Sequence, residues 1–242
     1  MNRYMDLIAY GHAGLPVLVF PSSEGSADGY EGFGMIGALA PLIDAGKLRL
    51  YCVGSYDSDS WWSKHTPLHE RAWRHSLYED WIINQVMPAI RSELKDPKAR
   101  LLTTGCSFGG FHAANFTLKH PRMFWYALAM SGAYDIRWLM HGYHDDWVYF
   151  NNPSEYLVNL NGPLLDELRR NVFIHLVCGQ GEWEDRSRAS SGEFWWLLRQ
   201  KAIPNFLDLW GHDVNHDWPW WRKQIVYYLG NLVEGRTPWL NT

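Results

Sequence analysis

The chain has 242 residues, 47% hydrophobic and 20% charged, the balance of a folded protein able to bury one large core. A formal net charge of −4 offers no basic face to nucleic acid. No apolar run approaches the roughly 18 residues that cross a bilayer, so neither nucleic acid nor membrane is expected as a partner. Met1 to Asp6 lack the basic-then-apolar layout of a secretory signal, and the three cysteines, Cys52, Cys106 and Cys178, cannot all pair. A cytoplasmic protein with buried, reduced thiols is the expectation.

Tyr4 to Ala9 reads as an edge strand and Pro16 to Phe20 as a buried one ended by Pro21. Ser22 to Gly34 is rich in Gly, Ser and acids, a long loop before a helix over Met35 to Ala45. Leu48 to Val53 reads as a strand, followed by a polar loop holding Asp57, Asp59, Trp61 and Trp62. From Arg71 to Lys95 apolar residues recur at helical spacing, up to Asp96-Pro97. Leu101 to Cys106 is a strand, and a helix is expected from about Phe111 to Lys119. Phe124 to Met130 is the next strand, ending at Ser131-Gly132. Tyr134 to Leu168 is irregular, with short helical turns. Val172 to Val177 is a strand, Arg188 to Lys201 a helix, Asn205 to Trp210 a last strand and Trp218 to Val233 a closing helix.

Strands alternating with helices predict an α/β fold: a mostly parallel central sheet with helices on both faces. Ligands then sit beyond the carboxyl ends of the strands. One domain over 1–242 is expected, with 134–168 as a small cap or a side of the cleft. The fifteen tryptophans should mostly fill the core, while those near His216 would wall a cleft.

Gly105-Cys106-Ser107-Phe108-Gly109 is a G-x-S-x-G pattern between a strand and a helix. On such a turn the serine hydroxyl is pushed out of the sheet, with backbone N–H groups facing the same point. A serine needs a base to become a nucleophile, and a histidine needs an acid to fix its tautomer. In this fold they follow in the order Ser, acid, His.

Of eleven histidines, His112 and His120 suit structural roles. His65 and His69 are four apart but straddle Pro67, and His141, His144, Asp145 and Asp146 read as a solvated loop. No metal or other cofactor is therefore expected. His212 and His216 lie after the last strand, where the base belongs. His216 is preferred because it precedes Asp217-Trp218-Pro219 and the closing helix. The acid should be one of Glu182, Glu184 and Asp185, with the two glutamates the stronger candidates. The oxyanion would be held by the backbone N–H of Phe108 and by one from the loop after Phe20, Ser23 ahead of Ser22.

Phe20 to Gly25, Gly105 to Gly110, Met130-Ser131-Gly132 and Gly211 to Arg222 together resemble the putative esterase family of α/β hydrolases. That family includes esterase D (S-formylglutathione hydrolase), feruloyl esterase domains, siderophore esterases and mycolyltransferases. The resemblance spans nearly the whole chain and implies an α/β-hydrolase fold with Ser107 as nucleophile and His216 as base. Its final block is the most specific, since Trp218 and Trp221 follow His216 at the family's spacing. Counting from Gly179, as in feruloyl esterase-like members, points to Glu182 as the acid. Members whose loop reads Gly-Gln-Gly-Ala-Trp-Glu point to Glu184, which is preferred. Many members carry Asp here, so a Glu is a departure. The mycolyltransferase loop aligns Ser23 with an oxyanion donor.

The expected function is a serine hydrolase that cleaves a carboxylic ester through an acyl-enzyme on Ser107. Acyl transfer by the same triad, or a non-catalytic binding member, are the alternatives. Aromatic abundance suggests a small aromatic or sugar ester as substrate, and a homo-oligomer is compatible with the sequence.

Overall fold

Short apolar runs bounded by Pro and Gly become strands because each is long enough to cross a sheet and too short to make a helix. A computed structural model describes residues 4–241. Its strands are β1 (Leu7–Tyr10), β2 (Leu15–Phe20), β3 (Leu48–Val53), β4 (Leu101–Cys106), β5 (Phe124–Met130), β6 (Phe173–Cys178) and β7 (Asn205–Leu209). They form a seven-stranded sheet of order β1-β3-β2-β4-β5-β6-β7. Edge strand β1 is antiparallel to β3, and the other pairings are parallel.

The helices are α1 (Gly29–Gly32), α2 (Met35–Asp44), α3 (Leu68–Trp81), α4 (Met87–Leu94), α5 (Phe108–Lys119), α6 (Asp146–Tyr149), α7 (Pro153–Asn159), α8 (Gly162–Asn171), α9 (Asp185–Gln200) and α10 (Trp218–Val233). They cover both faces, as the alternation of elements predicts. Along β2, Val17 and Val19 pack with Met35 and Leu39 of α2 and Ile225 of α10. Leu18 and Phe20 point the other way, into a cluster with Ile82, Val86 and Phe116. Both faces are apolar, so the strands need no polar side.

Several boundaries differ from the expectation for identifiable reasons. The Arg71–Lys95 helix begins at Leu68 and passes through a π-helical stretch, Ile82–Val86, between α3 and α4. Pro88 has no amide to return to Asn84, and the ladder reorganises there. Helix α5 starts at Phe108, three residues earlier than expected, because Gly109 and Gly110 are helical. Helix α9 likewise starts at Asp185, where an acid in the first turn is favourable. In the 134–168 segment, Leu157 and Leu165 are buried with Ile174, Leu176 and Phe194.

The tryptophans depart from the expectation that most fill the core. Trp61, Trp81, Trp221 and Trp239 are buried, whereas Trp73, Trp138, Trp147, Trp183 and Trp196 are exposed and the remaining six half-buried. Aliphatic, Phe and Tyr side chains supply most of the core instead. An indole is large and carries an N–H that must find a partner, so complete burial is hard to arrange.

Burial also constrains stability toward acid. His175 on β6 is enclosed by Phe206, Tyr228 and Trp239, with Nδ1 2.6 Å from the Tyr126 hydroxyl. Burial pushes its pKa down to about 3, against roughly 6.5 in an unfolded chain. His75 on α3 is pushed to about 3 as well, first by burial and then by neighbouring His112. Between these limits the unfolded chain takes up protons that the native state refuses. Stability from this source is therefore full above about pH 6.5 and falls as pH drops toward 3. Urea unfolding should show a loss of roughly 2 kcal/mol per histidine between pH 7 and pH 5. Stability unchanged over that interval would mean that neither ring is held neutral.

Candidate active site

Ser107 occupies the turn between β4 and α5 with φ 56° and ψ −120°, a region that residues with a side chain avoid. The surroundings hold it there. Its N–H donates to the Met130 carbonyl at 2.9 Å, and its carbonyl accepts from Gly110 at 3.0 Å. A Cβ on Gly105 would lie 2.4 Å from the Gly109 backbone, and one on Gly109 would lie 2.5 Å from the Pro21 carbonyl oxygen. Both glycines are thus demanded by the approach of β4, α5 and the segment after β2. The turn leaves the Ser107 side chain half-buried at the carboxyl edge of the sheet.

His216 reaches this point from the loop after β7. That loop is laced to the one after β6: His216 N–H donates to the Glu182 carbonyl at 2.9 Å, Glu182 N–H to Asn215 Oδ1 at 2.9 Å, and Gly181 N–H to the Val214 carbonyl at 2.9 Å. Asp217 caps α10, accepting from Trp218 N–H at 2.7 Å, and Pro219 follows in the first turn. Trp221, one turn into α10, packs edge-on against the His216 ring at 4.9 Å between centroids. So held, His216 places Nε2 2.9 Å from Ser107 Oγ and Nδ1 3.1 Å from Glu184 Oε2.

Glu184 is only 1% exposed. Burial alone would push its carboxyl up, but hydrogen bonds from His216 and Ser131, with the nearby imidazole, outweigh burial and hold it below the usual glutamate value. Its Oε1 accepts from Ser131 Oγ at 2.6 Å and Gly179 N–H at 3.4 Å, and its Oε2 also accepts from Cys178 Sγ at 3.3 Å. Ser131 in turn accepts from Trp221 Nε1 at 3.0 Å. An ionised carboxylate can only accept, so the proton of His216 sits on Nδ1 and the Nε2 lone pair faces the Ser107 hydroxyl.

The other candidates separate cleanly. Glu182 turns its side chain to solvent and contributes only backbone to the clasp around His216. Asp185 is exposed and pairs with Arg188 at 3.2 Å. His212 is exposed, and His216 is the one that meets Ser107. Phe108 and Ser23 line the same cleft as Ser107, whereas Ser22 lines a neighbouring hollow with Phe33 and Trp218. His144 bonds Glu155 at 2.8 Å, and Asp145 caps α6 through Val148 N–H. Among the described residues, no group of three or more His, Cys, Asp or Glu is placed to hold a metal ion.

Ser131 and Cys178, the donors behind Glu184, were not among the expected site residues. Their signal is positional, since each lies at the carboxyl end of a strand beside β4 or one removed from it. Asp57, expected in a polar loop, is instead buried, with His112 Nε2 3.1 Å from its Oδ1. This contact ties the loop after β3 to α5, and Trp62 meets Phe108 edge-on at 5.7 Å.

The cleft beside Ser107 holds about 380 Å³ and is walled by Trp62, Phe108, Trp138 and Trp183. The tryptophans near His216 in sequence do not form this wall. Trp221 lies behind the imidazole, and Trp218 stacks on Phe33 at 4.2 Å. Trp138 is the member of the 134–168 segment that lines the cleft.

The model of the family described as "Putative esterase" matches residues 52–232. The chain belongs to this esterase family. Among solved structures, the esterase is similar to a ferulic acid esterase (16% identity, TM-score 0.68, covering 96% of this chain and 99% of that one). It is also similar to S-formylglutathione hydrolase FrmB from Staphylococcus aureus (15%, 0.64, 95% and 97%) and to Mycobacterium tuberculosis MPT51 (12%, 0.67, 95% and 92%). The esterase thus has the α/β-hydrolase fold. No curated protein matches its sequence.

The backbone at position 107 yields a prediction about stability. In the esterase, Ser107→Ala keeps the Cβ that the positive φ disfavours, and Ser107→Gly removes it. Urea unfolding should find the Gly variant more stable than the Ala variant by about 1 kcal/mol, strain relief exceeding the entropy cost of glycine. The reverse order would mean that the turn stores no strain.

Proposed function

We propose that the esterase hydrolyses a carboxylic ester of a small molecule through an acyl-enzyme on Ser107. The observation that carries this reading is the unbroken hydrogen-bonded chain from Ser107 Oγ through His216 to the buried Glu184 carboxylate. Ser107 Oγ attacks the ester carbonyl carbon while His216 Nε2 takes the hydroxyl proton. Glu184 keeps Nδ1 protonated and stabilises the imidazolium that forms. The oxyanion of the tetrahedral intermediate is met by the backbone N–H groups of Phe108 and Ser23, each worth about 3 kcal/mol. As the intermediate collapses, the proton on Nε2 passes to the departing alcohol. His216 then deprotonates a water that attacks the acyl carbon, and the acid leaves with Ser107 restored.

In this reading the chain acts as one catalytic unit, with 134–168 as a side of its cleft through Trp138. A pocket of this volume suits part of a small molecule, with aromatic walls to grip it.

Turnover of 4-nitrophenyl acetate tests the assignment. Ser107→Ala and His216→Ala should each lower kcat/KM by about 10⁴-fold or more, and Glu184→Gln by about 10³-fold. Glu182→Gln should stay within about two-fold of the parent, since its side chain faces solvent. Full activity in Ser107→Ala, or equal losses in the two glutamate variants, would overturn it.

A further inference from the structure

A line of ring contacts runs along the cleft wall away from the nucleophile. Phe108, next to Ser107, meets Trp62 edge-on at 5.7 Å, and Trp62 meets Trp138 edge-on at 5.3 Å. The line ends on a cation: the Arg186 guanidinium carbon stands 4.3 Å above the Trp138 ring. Arg186 lines the same cleft as Ser107 and His216.

The charges around Arg186 are mostly committed elsewhere. Glu184, two residues before it, is turned inward to His216, and Asp185, which also lines the cleft, pairs with Arg188 at 3.2 Å. Asp135, in the adjoining hollow, is taken by Arg137 at 2.9 Å and Asn152 at 3.1 Å. Glu193, two turns along α9, shares that hollow without pairing with Arg186. Among the described residues, the Arg186 guanidinium has no ion pair and no hydrogen bond, and the indole face is its partner. A guanidinium seated over an indole keeps N–H donors available for a two-pronged contact with a planar anion. Of the side chains that line the cleft with it, Asp185 is already paired with Arg188, and the other oxygen acceptors are the hydroxyls of Ser23, Ser107, Ser131 and Ser187.

We propose that the natural substrate is an ester bearing a carboxylate, and that Arg186, braced by Trp138, is the specificity-determining residue that binds it. This inference rests on Ser107 being the nucleophile of the same cleft. The carboxylate can lie on the acyl or the alcohol side of the scissile bond, and two matched pairs of esters separate these. Monoethyl adipate against ethyl adipamate places the charge on the acyl side. 4-Acetoxybenzoate against 4-acetoxybenzamide places it on the alcohol side.

In one of the two pairs the parent enzyme should prefer the charged ester by about ten-fold or more in kcat/KM, carried mainly by KM and shrinking with added salt. Arg186→Gln should bring that charged-to-neutral ratio close to one, while Arg186→Lys should retain part of it. Arg186 is exposed, so the variants are expected to fold, and circular dichroism checks this. No charge preference in either pair, or a ratio unaltered in Arg186→Gln, would overturn the inference. Neutral esters cleaved by Ser107 without such a preference would sink the carboxylate site alone. Cleavage that survives Ser107→Ala would instead remove the nucleophile on which it rests.

Discussion

Strand β4, helix α5 and the segment after β2 approach one another more closely around Ser107 than side chains permit. Gly105 and Gly109 face backbone at distances where even a methyl group would collide. Because these three pieces are wedged together, Ser107 is held at a φ it would not choose, and its hydroxyl projects from the sheet edge. Phe108 and Ser23, which adjoin this wedge, line one cleft with Ser107. Loosening the wedge would disperse Ser107 and the backbone groups proposed to meet the oxyanion together.

The second organising feature is a carboxylate kept ionised out of water. Burial of Glu184 works against ionisation, and four donors work for it: Ser131 Oγ, Cys178 Sγ, Gly179 N–H and His216 Nδ1. The donors prevail. An acceptor-only group at this place dictates the direction of every proton along the chain of bonds, and in the proposed mechanism that direction prepares Ser107 for attack. Trp221 contributes twice, packing on the imidazole and donating to Ser131. Helix α10 therefore braces both the histidine and the support of its acid.

Much of this was legible in the sequence. The strand runs, the parallel architecture and the closing helix follow from apolar length and periodicity, and the meeting of Ser107 with His216 follows from their places beyond strand ends. The choice of Glu184 over Glu182 rests on the family resemblance alone, because both lie in one short loop and only the fold-back of that loop decides which side chain is buried. Helix α9 begins three residues before the start its periodicity suggests, which puts Glu184 at its N-terminus. Gly109 and Gly110 misled in the same way: weak helix formers in isolation, they are helical here because close packing requires them. The cleft wall was hidden for a different reason. Trp62, Trp138 and Trp183 come from three separate loops, and adjacency in the chain says nothing about such an assembly.

In the proposed mechanism His216, 2.9 Å away, makes the Ser107 hydroxyl nucleophilic. Reaction with a fluorophosphonate probe, followed by mass spectrometry of the labelled peptides, tests it most directly. One adduct is expected, on the peptide containing Ser107, with slow or absent labelling in His216→Ala. An adduct on another serine, or labelling of His216→Ala at the parent rate, would contradict it.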